Sequence, residues 1–182
     1  MKKIILILSA FLFFLSCKSN EEIINFISKQ DNKPENKILI TSNVVSNKTV
    51  LNVLKNYSHA QKEIFDSNFN FTKKLYDSIT NKLLNDTISR NWKKKQFEEV
   101  DGIIVNTNLM YLKSNNIYYK KYFSGNYSLY SISKPTIINN LLLFYISKNR
   151  SLGSVEYSKV VIMEKKKNKW VNVVNVYSTE LF

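Results

Sequence analysis

From Tyr127 onward the chain is built for pairing in a sheet. Four runs rich in β-branched and aromatic residues, Tyr127–Ser133, Leu141–Ser147, Val155–Lys165 and Trp170–Thr179, are separated by turn residues. Asn139-Asn140 and Lys167-Asn168 supply two of the turns. Pro135 cannot donate to a ladder, so Lys134-Pro135 must break the first run at an edge or a bulge. The connections are too short for helical crossovers, so the strands form an antiparallel meander. Trp170 opens the last strand directly after a polar tip and is expected to be largely buried.

The chain before Tyr127 has a different period. Ser19 or Asn20 can cap a helix over Glu21–Ser28, where Ile23, Ile24, Phe26 and Ile27 are apolar. Lys29–Lys37 contains Pro34 and reads as a loop, and Ile38-Leu39-Ile40 as a short strand. Thr49–Asn56 and Ser58–Asp66 read as helices, with Val50, Val53 and Leu54 on one stripe and Ile64 and Phe65 on the next. Leu75, Ile79, Leu83 and Leu84 give a helix over about Thr72–Leu84, ended by Asn85-Asp86. Trp92–Val100 carries charge runs of both signs and reads as a solvated helix or loop. Asp101-Gly102 is a turn before the strand Ile103–Asn106, and Asn108 caps a helix from Leu109 to about Phe123 that Gly125 ends. Helices mainly over 21–124 and antiparallel strands mainly over 127–179 make residues 21–182 one α+β domain, with N-terminal helices packed on the meander.

Residues 1–17 read MKKIILILSAFLFFLSC. Lys2 and Lys3 precede a 12-residue stretch from Ile4 to Leu15 interrupted only by Ser9. A spanning helix needs about 20 apolar residues, whereas a secretory signal core has roughly 7–15. Cys17 follows at once, behind the small Ser16. In this the chain resembles bacterial lipoproteins, although Phe14-Leu15 stands where their signal usually carries Leu and then Ala or Ser. The resemblance implies cleavage between Ser16 and Cys17, removal of residues 1–16 and lipid attachment on Cys17, with residues 17–20 as lipidated Cys and tether. Chemistry agrees with that implication. A sole Cys in an exported chain has no disulfide partner, and acylation removes an oxidisable thiol. Residue 18 is Lys rather than Asp, so if the cell is Gram-negative the resemblance implies the outer rather than the inner membrane. Glu21-Glu22 looks like the acidic tether of some surface-exported lipoproteins, and equally suits the first turn of a helix.

The C-terminal half carries a second resemblance. Ser133-Lys134-Pro135, Leu141–Tyr145, Gly153 and Lys167–Trp170 are similar to structural motifs of small uncharacterised bacterial lipoproteins. Relatives often place cysteines where this chain has Ser151 to Ser154, and the group brings no activity with it.

The formal charge is +13, and loss of residues 1–16 removes two Lys and no acid, leaving +11. Of the 27 basic residues only Arg90 and Arg150 are Arg, and there are 24 Asn. Phosphate recognition favours the planar fork of Arg, so nucleic acid is not the expected partner. Lys, Asn and Ile enrichment is the signature of AT-rich coding; attraction to an anionic membrane or polymer is the sharper alternative.

Few constellations carry chemistry. His59 is the sole imidazole, and Glu63 lies four residues on, on the same face if the segment is helical. Such a pair could serve acid–base catalysis, and the runner-up function is a small envelope hydrolase or metal-dependent enzyme built on His59 and nearby carboxylates. The plainer reading is an exposed polar pair. Glu98, Glu99 and Asp101 form the densest acidic group but lack the spacing of a calcium loop. No cofactor motif and no metal-ligand spacing is present. Tyr118, Tyr119, Lys120, Lys121, Tyr122 and Phe123 interleave rings and cations, a candidate binding patch unless the rings pack on the sheet. The first expectation is therefore a non-enzymatic binding or structural module, anchored in the membrane through Cys17, whose partner is an anionic envelope component or a protein.

Overall fold

The computed structural model describes residues 20–30, 38–86, 91–93, 96–97, 102–105, 128–151 and 154–179. Among the described residues three helices, α1 (20–30), α2 (Asn47–Lys55) and α3 (Lys73–Asn85), accompany eight strands. The strands are β1 (Ile38–Thr41), β2 (Lys62–Ile64), β3 (Gly102–Val105), β4 (Ser128–Ile132), β5 (Thr136–Ile138), β6 (Leu141–Ser151), β7 (Ser154–Lys166) and β8 (Lys169–Tyr177). The fold is α+β. The strands join in the order β2-β8-β7-β6-β4-β1-β3, with β5 beside β6 in line with β4.

The expected meander is present as β6, β7 and β8, each antiparallel to the next. The tips behave as their residues dictate. Asn139, Lys167 and Asn168 have φ of 54°, 47° and 64°, the left-handed region. Two consecutive positive φ values at Lys167-Asn168 define a turn whose twist matches its strands and whose preferred sequence is Asn-Gly. Lys167→Asn combined with Asn168→Gly should therefore raise stability by about 0.5–1 kcal/mol, measured by urea unfolding.

Pro135 sits where its chemistry sends it, in the break between β4 and β5. Ser133 repairs the ladder there. Its N–H donates to the Tyr145 carbonyl at 3.1 Å, and its Oγ accepts the Tyr145 N–H at 2.8 Å. Ser133 is 1% exposed. Ser133→Ala leaves a buried N–H without that acceptor and should cost about 1–3 kcal/mol in thermal or urea unfolding.

The sheet extends beyond the meander at both ends. β1 runs parallel to both β3 and β4. At the other edge β2 pairs antiparallel with β8, Glu63 opposite Asn175. This corrects the helix expected over Ser58–Asp66. α2 closes at Asn56, whose carbonyl accepts from the N–H groups of His59 (3.0 Å) and Ala60 (2.8 Å), and the chain turns back into a strand. Ile64 and Phe65 are 58% and 56% exposed, so they never formed an inward helical stripe. Long-range pairing decides such a short segment, not its local pattern.

Helices cover both faces of the sheet. On one face Ile23, Ile24, Phe26 and Ile27 of α1 pack with Tyr130, Ile132, Leu142, Phe144, Ile146 and Val161. On the other, Val50, Val53 and Leu54 of α2 and Ile79 and Leu83 of α3 pack with Leu143, Tyr145, Val160, Ile162 and Val174. The alternation along β6 and β7 feeds both cores, as a sheet buried on two sides requires. Ser46 caps α2 and Thr72 caps α3, each side chain accepting from the N–H three residues on.

Two aromatic expectations need revision. Trp92 and Phe97 are buried in the α1-side core at 5% and 1% exposure, their rings 5.0 Å apart edge to face, so the charges around them do not make that stretch solvated throughout. Trp170 is only half-buried at the margin of the same core. Its deletion should therefore cost less than the 3–5 kcal/mol of a full core aromatic.

Candidate functional site

The meander creates one polar cluster that its apolar surroundings make costly. Tyr157, Lys159, Val161 and Met163 alternate onto the α1 face of β7, so Lys159 is carried inward with its apolar neighbours. It is 2% exposed. Its ammonium lies 4.9 Å from the Tyr157 ring centre, 5.2 Å from that of Tyr177 and 5.6 Å from that of Phe26. Such a cation is attracted by ring faces within about 6 Å. Nζ donates to Gln30 Oε1 at 2.9 Å and approaches the Tyr177 hydroxyl at 3.5 Å. Phe26 and Gln30 belong to α1, so the helix closes the surroundings of Lys159.

The cluster continues across β8 to the sheet edge. Tyr177 is hydrogen-bonded to Glu63. Asn175 Nδ2 donates to Glu63 Oε2 at 3.0 Å, and Asn172 Nδ2 to Asn175 Oδ1 at 3.1 Å. Asn175 is fully buried. A phenol thus bridges a buried cation to an edge carboxylate.

The titration directions follow. Burial pushes the Lys159 ammonium below its ordinary value, and the Glu63 charge opposes this. Burial pushes the Glu63 carboxyl up, but hydrogen bonds from Asn175 and Tyr177 and the charge of Lys159 outweigh it, leaving it below the ordinary range. Burial, then the bond to Glu63 and its charge, hold Tyr177 well above the usual phenol value, so it stays neutral. Because the Glu63 value is lowered on folding, its contribution is present above the unfolded carboxyl range and lost as pH falls through the folded value. Glu63→Gln should flatten the acid limb of a stability–pH curve. The depressed Lys159 gives a slope of the same sign in its own, more alkaline window. Between its folded value and the ordinary lysine value the unfolded chain holds more protons, so stability rises with pH there. Lys159→Met should remove that rise, as chemical denaturation across pH would show.

His59 is exposed in the turn after α2, while Glu63 lies on β2 and is engaged by Asn175 and Tyr177. The shared helical face expected of the pair does not exist. Ser16, Cys17, Glu98, Glu99, Asp101 and the patch Tyr118, Tyr119, Lys120, Lys121, Tyr122 and Phe123 lie outside the described residues. Among the described residues no three His, Cys, Asp or Glu side chains gather as a metal set. Sequence reasoning missed the Lys159 cluster, although a signal was present: a lysine at the inward register of an otherwise apolar strand, two residues from Tyr157 and from Val161.

A second feature lies where α2 faces the end of β8. α2 supplies Thr49, Asn52 and Val53 from one helical face, and its C-cap supplies Asn56. The departing strand supplies Tyr177, Ser178 and Thr179. The hollow between them has a volume of about 110 Å³ and no charged side chain in its lining.

No family model, no curated protein and no solved structure matches the chain. Among the described residues no helix is long and apolar enough to cross a membrane.

Proposed function

We propose that this chain is a lipid-anchored protein of the bacterial cell envelope whose folded part binds a partner at the membrane surface. The observation that carries the reading is the sole cysteine, Cys17, placed directly behind a 12-residue apolar core and Ser16. Residues 1–16 are the signal peptide, and the diacylated Cys17 is the membrane attachment. Two acyl chains give stable anchoring where one gives only marginal binding. The similarity to small bacterial lipoproteins supports the same reading, and Lys18 in place of Asp favours the outer membrane if the cell is Gram-negative.

The start of α1 at residue 20 gives the anchor a mechanical meaning. Three residue steps reach at most about 10 Å. The domain is therefore held against the bilayer, and α1 is the element that the anchor pulls on. Confinement to a surface raises the effective concentration of partners, so modest affinity suffices. The mature charge of +11 and the lysines of the Tyr118–Phe123 patch suit an anionic envelope component.

Cells fed labelled fatty acid should incorporate it into the wild-type chain and not into Cys17→Ala. Equal labelling of the variant would contradict the reading. For the partner, Lys120→Gln with Lys121→Gln should weaken co-purification from membranes, most clearly at low salt, without lowering the melting temperature. Unchanged co-purification would exclude that patch.

A further inference from the structure

We propose that the hollow between α2 and the end of β8 is a binding site for a neutral, hydroxyl-rich ring, the terminal sugar of an envelope glycan. The lining chemistry selects the class. Asn52 on α2 and Asn56 at its C-cap lie four residues apart, both exposed and both lining the hollow, so two carboxamides are available there. A carboxamide offers donors and an acceptor together, which is what adjacent sugar hydroxyls require. Ser178 and Thr179 line it from the end of β8. Val53, 6% exposed, is an apolar patch in the lining for the C–H face of a ring.

The same lining rejects other classes. A charged ligand would find no counter-ion in the hollow, although the chain as a whole carries +13. An apolar ligand would strip water from amides and hydroxyls and leave them unpaired. At about 110 Å³ the hollow is smaller than the roughly 300–1,000 Å³ of drug-sized sites, so it can seat part of one ring and cannot enclose an extended chain. Tyr177 borders the hollow at the end of β8, while its hydroxyl is 3.5 Å from Lys159 Nζ. The site is separate from the Tyr118–Phe123 patch. It rests on the envelope reading only for the source of the ligand.

The test is an NMR titration of the purified full-length, isotope-labelled protein with N-acetylglucosamine. Inorganic phosphate serves as the anionic comparison. Shifts confined to Asn52, Asn56, Ser178, Thr179 and their neighbours are expected, with a dissociation constant on the order of 1 mM, as a small open site allows. Asn52→Ala and Asn56→Ala should each weaken binding roughly tenfold while leaving the melting temperature unchanged. An oligosaccharide ending in the same sugar should bind more tightly than the free sugar. Tighter binding of the free sugar would replace the glycan end with a small solute and overturn that part of the proposal. Absence of localised shifts, binding that survives both alanine variants, or a stronger response to phosphate would overturn the site itself. Each result is independent of whether Cys17 is lipidated.

Discussion

Phe144→Ala is expected to lower the free energy of unfolding by about 3–5 kcal/mol. Phe144 is fully buried on β6, in the layer between the sheet and α1. Its ring meets Phe26 edge to face at 5.6 Å and 82°. Its cross-strand neighbour is Val161, also without exposed surface. Removing the ring forfeits its transfer free energy and leaves a cavity bounded by a strand on one side and a helix on the other, neither able to collapse far. α1 loses an aromatic contact at the same time, so amide exchange in residues 20–30 should accelerate more than in α2, which packs on the opposite face. Denaturation that shows a loss below about 1 kcal/mol, the scale of a surface change, would mean that Phe144 does not sit in a two-sided core.

The second large effect concerns charge. Lys159→Glu should destabilise by about 3–5 kcal/mol, while Lys159→Met should remain within about 1 kcal/mol of the parent. The glutamate would place an anion among the rings of Phe26, Tyr157 and Tyr177, whose faces attract cations. It would also stand near Glu63 with Gln30 Oε1 as an acceptor facing it. Methionine, one heavy atom shorter, keeps an unbranched apolar stem and removes the buried charge together with its hydrogen bond to Gln30. Similar losses for both variants would show that packing of the stem, not the sign of the charge, governs the position.

The meander was legible because its residues act locally. Strand period, the Asn and Lys-Asn tips and the Pro135 break are all decided within a few residues. The same holds for the caps, Ser46 on α2 and Thr72 on α3, each using its own next turn. What escaped was decided at a distance. β2 exists because β8 offers it a ladder, and nothing in Lys62-Glu63-Ile64 announces a strand. β1 finds β3 and β4 in parallel across long separations. Trp92 reads as solvated beside its lysines until its N–H donates to the Ser42 carbonyl at 2.7 Å and its ring enters the α1 core.

The candidate sites divide in the same way. The proposed anchor signal at Ser16-Cys17 is a linear pattern and needs no fold to be read. The His59–Glu63 pair depended on a helix, and it dissolved when Glu63 was claimed by Asn175 and Tyr177 across the edge. The Lys159 cluster assembles α1, β2, β7 and β8, and the hollow assembles α2 with the end of β8. Sites built from several elements become visible only once the sheet order is known.

The anchored-protein account is tested most directly by the intact mass of the chain recovered from a membrane fraction. The account predicts a species that begins at Cys17, lacks residues 1–16 and carries diacylglycerol on that residue, while Cys17→Ala keeps its leader and gains no lipid. A membrane-derived chain that retains Met1, or that begins at another residue with an unmodified Cys17, would contradict it.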